Sequence, residues 1–221
     1  FFRTLGAEVT VAEVMDRVMP VEDEEISTLA RKSFEKQGMK IMTGVKVTKL
    51  EKGANNVIAH IETGGKVEKL TVDRVIMAVG IVANTENIGL ENTKVKIEKG
   101  QIVTDGYLQT AEPGVYAIGD VAGAPWLAHK ASHEGVICVE KIAGQKDAHP
   151  MKRENIPGCT YCHPQVASVG LSEAKAKAAG YEVKIGRFPF IGTARPLPSA
   201  SPKGWSKPFL TPKPGNFWAR I

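Results

Sequence analysis

The sequence predicts a mixed α/β chain, and three observations carry that reading. A strand-like, helix-like, strand-like succession stands at the amino end. Short alternating runs follow it, together with one continuous apolar run, Val75–Val79. The 221 residues are 43% hydrophobic, enough to bury a core and long enough for one large domain or two small ones.

Phe1–Leu5 reads as a helix end capped by Gly6, and Ala7–Val11 as a strand finishing near Glu13. Glu22, Asp23, Glu24 and Glu25 put negative charge at a helix start, where the dipole favours it. Ile26, Leu29, Ala30 and Phe34 form that helix's apolar stripe, and Gly38 ends it. Strands follow at Lys40–Met42, Val45–Leu50, Val57–Glu62 and, past a Gly64-Gly65 turn, Lys66–Val72. Val75–Val79, ending at Gly80, has the composition of a strand buried on both faces. Ile102–Thr104 and Val115–Ile118 read as strands, and Ala131–Ile142 as a helix closed by Gly144. Lys146–Pro157 is a polar link. Gln165–Gly170 begins a new strand, Ser172 caps a short helix ending at Gly180, and Tyr181–Phe188 is another strand. There is no internal repeat.

The net charge of +5 lies entirely in the tail. Residues 193–221 hold Arg195, Lys203, Lys207, Lys213 and Arg220 and no acid, so the remainder carries 24 basic and 24 acidic residues. A neutral body gives no support for a nucleic-acid or membrane-surface partner. No apolar run approaches the roughly 20 residues that span a bilayer. Phe1-Phe2-Arg3 is neither a signal nor a transit peptide. The three cysteines are expected as reduced thiols in a cytoplasmic setting.

The most informative stretch is Val115 to Ile118 stopping at Gly119, followed by Asp120 and then by Leu127-Ala128-His129-Lys130-Ala131. A glycine at a strand's carboxyl end lets backbone approach a ligand, and Asp120 offers a carboxylate to a hydroxyl. Read alone, the first part favours a buried strand ending in a Gly-Asp turn. With the run that follows, residues 1–192 resemble the pyridine nucleotide-disulfide oxidoreductases, and Leu-Ala-His-Lys-Ala looks like their dihydrolipoamide dehydrogenase branch.

The resemblance implies a partial dinucleotide-binding, Rossmann-like NAD domain over 1–106, without its first strand and Gly-rich loop. It further implies a central FAD-contacting segment over 107–150 and the start of an α+β dimerisation domain over 151–192. FAD and NAD are the implied cofactors. By the same resemblance Asp120 binds the FAD ribityl chain and the amide of Ala128 meets the flavin. Glu13 would hold the adenosine ribose hydroxyls of NAD while repelling the extra phosphate of NADP. Gly80 would bring backbone to the nicotinamide end, and Val47 to the adenine. Without the resemblance Glu13 reads as a solvated surface carboxylate and Val47 as a core valine. Ile81-Val82-Ala83-Asn84 departs from the commoner Arg-containing pattern of the family. His129 and His133 are expected near the flavin, as tuning groups or as hydrogen-bonded structural ones.

Neither a metal site nor a catalytic residue is expected within the chain. Cys159-Thr160-Tyr161-Cys162-His163 fits a haem-attachment or zinc-knuckle spacing, yet it lacks a second Cys/His pair and an export signal. It reads as incidental cysteines, with a redox pair as the remaining alternative. The family's Cys-x4-Cys pair and first phosphate loop would precede Phe1, and its His-Glu acid-base pair would lie beyond the tail. The chain alone is therefore expected to be inactive. The whole enzyme would be a homodimer, cytoplasmic or in the mitochondrial matrix, serving lipoyl domains of 2-oxoacid dehydrogenase or glycine-cleavage complexes. The alternatives are another FAD-dependent disulfide reductase and a non-catalytic dinucleotide-binding module.

From Thr193 the composition breaks: six of the thirteen prolines and two of the three tryptophans fall here. Composition alone favours a disordered linker. Reading allowed codons two bases later instead yields a run beginning Gly-Lys-Ala-Ile and continuing as the family's next hairpin. Loss of one adenine from an Asn codon after Gly192 produces such a switch, so residues 193–221 are expected to be an out-of-frame product.

Overall fold

The computed structural model describes residues 1–189, 205–207, 209–210 and 217–220. The chain forms two compact units, Phe1–Met77 with Pro157–Ile221, and Ala78–Ile156. The first unit opens with a turn over Phe1–Gly6. Gly6 (φ +97°) donates its N–H to Arg3 O at 3.1 Å and Ala7 donates to Phe2 O at 3.1 Å, the paired bonds of a Schellman cap. Strand β1 (Thr10–Glu13) and strand β2 (Lys40–Thr43) pair in parallel, Thr10 beside Lys40, with helix α1 (Glu24–Lys36) between them. Asp23 caps α1 by accepting the Glu25 N–H at 3.1 Å. Gly38 (φ +88°) closes it with the same paired bonds that follow Gly6, to Glu35 O and, through Met39, to Phe34 O.

Strands β3 (Lys46–Lys52), β4 (Val57–Thr63) and β5 (Lys66–Val72) make an antiparallel meander in the order β3-β4-β5. Its buried side is Ala59 and Ile61 packed with Val45, flanked by Met42 and Leu70. Ile26 and Ala30 of α1 pack instead with Val166, alongside Met19, Phe34 and Cys162. Leu29, expected in the same stripe, is exposed.

In the second unit, β6 (Ile97–Glu98) and β7 (Gln101–Ile102) form a short hairpin. Ile102, Ala117 and Ala122 make its core, with Leu90, Val95 and Val121 around them. The long helix α2 covers Ala128–Ile142. Gly144 (φ +72°) ends it, donating to Lys141 O at 3.1 Å.

Back in the first unit, β8 (Gly158–Thr160) pairs with β9 (Val166–Gly170), and Ser172 caps α3 (Glu173–Ala178) through Lys175 N. After β10 (Lys184–Ile185) and β11 (Phe188–Pro189) come β12 (Trp205–Ser206), β13 (Phe209–Leu210) and β14 (Phe217–Arg220). β12 pairs with β11, and the remaining strands form a sheet in the order β10-β13-β14-β9-β8. Most of the tail read as out of frame lies outside the described residues, and β12, β13, β14 and Lys207 are the described part of it.

Val75–Val79 is not a buried strand: no described strand pairs with it, and Val79 is 87% exposed. An apolar run becomes a central strand only where neighbours on both sides complete its ladder. Val115–Ile118 is extended but makes a single bridge, Gln109 to Tyr116, and Val115 and Ile118 are exposed. Ile102 alone of Ile102–Thr104 enters a strand, and Tyr181–Phe188 contributes only Lys184–Ile185 and Phe188.

Candidate functional site

The residues after Ile118 form a one-turn 3-10 helix, Gly119–Ala122, and the chain then passes through Gly123 to the start of α2. Gly119 is buried with φ +74°, where a side chain is strained, and a Cβ there would sit 3.3 Å from the Ala131 Cβ. That conformation turns the next residue outward. Asp120 is exposed, and its carboxylate enters no ion pair among the described residues. Ala128, also exposed, is the first residue of α2, and its N-cap Leu127 supplies no side-chain cap. Amides at an uncapped helix start attract anionic or acceptor atoms.

The turn is fixed by a side-chain cluster that sequence reasoning missed. Lys130, 1% exposed, donates from Nζ to Gly119 O at 2.9 Å and to Gly123 O at 2.7 Å. Its third contact is Glu134 Oε1 at 3.0 Å. Glu134 Oε2 in turn accepts the Gly119 N–H at 2.7 Å. Both main-chain polar groups of Gly119 are thus held by α2.

The buried line of α2 is Lys130, Glu134 and Cys138, whereas Val136, Val139 and Ile142 are exposed. The available signal was the i, i+4 Lys-Glu pair, with the lysine in a first turn where the helix dipole disfavours a cation. Burial, and then the charge of Asp105, push the Cys138 thiol up. His129 and His133 both lie on exposed parts of the helix start.

In the other unit, Glu13 stands at the carboxyl end of parallel strand β1, half-buried, with Oε1 accepting the Met15 N–H at 2.9 Å. Its main-chain carbonyl accepts the Val45 N–H at 3.1 Å, which ties it to the start of β3. Val47, two residues on, is 42% exposed beside a register shift in β3, so it is not a core valine. Glu13 and Val47 therefore share one edge of the first unit. Gly80, with φ +118° and open space where a Cβ would project, belongs to the second unit with Asp120 and Ala128.

The cysteine motif has a packing environment. Cys162 donates from Sγ to Pro164 O at 2.9 Å beside the Ile26, Ala30 and Val166 cluster, and burial pushes its thiol up. Cys159 is exposed on β8.

A second charged cluster lies around Lys207, whose side chain is 2% exposed. It meets Asp23 at 2.9 Å, Glu25 at 2.6 Å and Glu173 at 2.8 Å. Burial opposes its charge, but three carboxylates outweigh that and raise its pKa. Glu173 is lowered first by Lys177 and then by Lys207, and Glu25 first by Lys207 and, with burial opposing, by Arg187.

No helix among the described residues is long and apolar enough to cross a membrane. The family model described as pyridine nucleotide-disulphide oxidoreductase matches residues 1–135, and its dimerisation-domain model matches residues 156–215, past Thr193. A dihydrolipoyl dehydrogenase of Rhizobium etli is 54% identical over 98% of this chain and 45% of its own length. That of Zymomonas mobilis is 47% identical over 94% of this chain and 45% of its own. The chain thus spans less than half the length of these relatives. LpdA from Mycobacterium tuberculosis superposes with a TM-score of 0.89 at 23% identity, over 99% of this chain and 47% of that one. The flavoprotein disulfide reductase RclA from Escherichia coli does so at 0.87 and 24%, over 99% and 50%. On the family match over most of its length, the chain belongs to the pyridine nucleotide-disulphide oxidoreductases.

Proposed function

We propose that this chain is the NAD-binding and central flavin-contacting part of an FAD- and NAD-dependent dihydrolipoamide dehydrogenase. The observation that carries the reading is the Gly119-Asp120 turn seated against the uncapped start of α2, in a chain 54% identical to a dihydrolipoyl dehydrogenase. The donor set fits a flavin nucleotide. An exposed carboxylate suits the hydroxyls of a ribityl chain, and the Ala128 amide at the helix start suits an acceptor atom of a flavin ring. When bound, FAD would supply two-electron transfer between a dithiol and NAD.

The protein's part is binding and orientation. Asp120 accepts hydrogen bonds from the ribityl hydroxyls, and Ala128 directs its amide to the ring. Glu13 keeps Oε2 for a ribose hydroxyl while Met15 engages Oε1, and its negative charge disfavours the phosphate of NADP. Exposed Val47 leaves its main chain accessible to the adenine beside Glu13, and Gly80 offers backbone without a side chain to the nicotinamide end. The dimerisation-domain match supports a homodimer. Lipoyl domains of 2-oxoacid dehydrogenase or glycine-cleavage complexes are the proposed partners, and the cytoplasm the proposed location.

The test is made on the full-length enzyme. Asp120→Ala is expected to weaken FAD binding at least about tenfold, since charged hydrogen bonds contribute about 1.5–3 kcal/mol. Glu13→Ser is expected to raise the KM for NAD and narrow its preference over NADP. Unchanged FAD affinity in Asp120→Ala would remove the flavin assignment. The out-of-frame reading of residues 193–221 has its own test, a DNA read across the Gly192-Thr193 codons. An open frame encoding the Pro-rich tail in the source genome would end it.

A further inference from the structure

A lysine ammonium at 1% exposure in the first turn of a helix faces two penalties. It loses its water, and it sits at the positive end of the helix dipole. Such a group persists where its surroundings satisfy it completely. Lys130 has three N–H donors and three acceptors, Gly119 O, Gly123 O and Glu134 Oε1, at 2.9, 2.7 and 3.0 Å. Asp120 lies between the two carbonyls bound to that one ammonium. Glu134 Oε2 closes the circuit on the Gly119 N–H. The cluster therefore holds the main chain on either side of Asp120 and leaves the Asp120 side chain exposed.

We propose that Lys130 and Glu134 are positioning residues for flavin binding, holding residues 119–123 so that the Asp120 carboxylate stays aligned with the start of α2. The proposal rests on the assignment of Asp120 and Ala128 to the flavin. Neither Lys130 nor Glu134 needs to touch the cofactor. Their charges offset each other, and their effect passes through the Gly119 and Gly123 main chain. Gly123 adds a constraint of its own, since at φ +103° any side chain there would be strained.

A pair that only stabilised the fold would be replaceable. Apolar side chains of similar volume often substitute for a buried ion pair without loss of stability. They cannot bond the Gly119 N–H or the two carbonyls. The double variant Lys130→Met/Glu134→Leu separates the two roles.

The experiment uses the full-length enzyme, with flavin removed and then titrated back while flavin fluorescence and visible-region circular dichroism are followed. The melting temperature of the flavin-free protein is measured in parallel. The double variant is expected to fold with a lowered melting temperature, since the Gly119 N–H and the Gly119 and Gly123 carbonyls lose their partners, and to bind FAD at least about tenfold more weakly, with an altered dichroism of the bound flavin. Glu134→Gln, which preserves shape but removes the charge, is expected to weaken FAD binding in the same direction and decides between the two roles if the double variant does not fold. Wild-type FAD affinity in a folded double variant, or in Glu134→Gln, would overturn the proposal. Asp120→Asn separates this failure from that of the flavin assignment. If Asp120→Asn weakens FAD while the cluster variants do not, only the positioning role is lost. If Asp120→Asn also leaves FAD affinity unchanged, the flavin assignment itself falls.

Discussion

Lys130 and Lys207 are buried, and their surroundings differ in kind. Lys130 is satisfied locally, by one carboxylate four residues along its own helix and by carbonyls seven and eleven residues back. Lys207 is satisfied by carboxylates, one of them on Asp23 at a separation of 184 residues. The first fixes the shape of one turn. The second joins the start of α1, the start of α3 and the tail within the first unit. Burying a cation is costly in both places, but a carbonyl-rich cage specifies geometry, whereas a carboxylate-rich one adds long-range charge and becomes sensitive to pH.

Lys130→Met alone puts the largest strain on this contrast, because it leaves Glu134 buried without its cation. We expect a loss of about 3–5 kcal/mol in denaturant unfolding; a loss under about 1 kcal/mol would mean that water reaches the cluster. Lys207→Met is expected to cost about 2 kcal/mol, less because Glu25 and Glu173 retain access to solvent. Amide exchange in β9 and β13 would report where that loss falls. Gly119→Ala, at φ +74° and against the Ala131 Cβ, is expected to cost about 1–2 kcal/mol, and a neutral result would show that the turn is less tightly held than its bonds imply.

Acid is expected to weaken the Lys207 cluster. Glu25 and Glu173 are lowered from the ordinary value of 4.5 by their cationic partners, Lys207 and Lys177 foremost. Their contribution is fully present above the unfolded value and is lost as pH falls from there through their folded values. Unfolding midpoints measured from pH 7 down to pH 3 should therefore fall more in the wild type than in Lys207→Met. The smallest effect is expected at the exposed Arg31–Glu35 pair, where Glu35→Ala should change stability by no more than about 0.5 kcal/mol.

What was legible in the sequence was local. Gly38 and Gly144 end their helices as predicted, Asp23 lies in the acidic run that marks the start of α1, and Lys66–Val72 forms a strand with the expected bounds. Each depends on a few neighbouring residues. Val75–Val79 failed because its burial depends on partner strands that its own composition cannot specify. The family resemblance singled out Asp120 and Ala128, which stand on the Gly119–Ala122 turn and at the start of α2, yet Lys130 passed as one letter of a motif. Its role depends on carbonyls from another segment, and main-chain acceptors leave no trace in a sequence. Lys207 was hidden differently, in a tail whose proline and charge content argued against any specific contact.

The meander of β3, β4 and β5 has a consequence for self-association. Its two outer strands carry Lys46, Lys49 and Lys52 on one side and Lys66 and Lys69 on the other, with Glu51 and Glu68 among them. A second molecule approaching either free edge would have to dock main chain to main chain while bringing these charges into close register. The charged edges make the sheet a poor template for a growing aggregate.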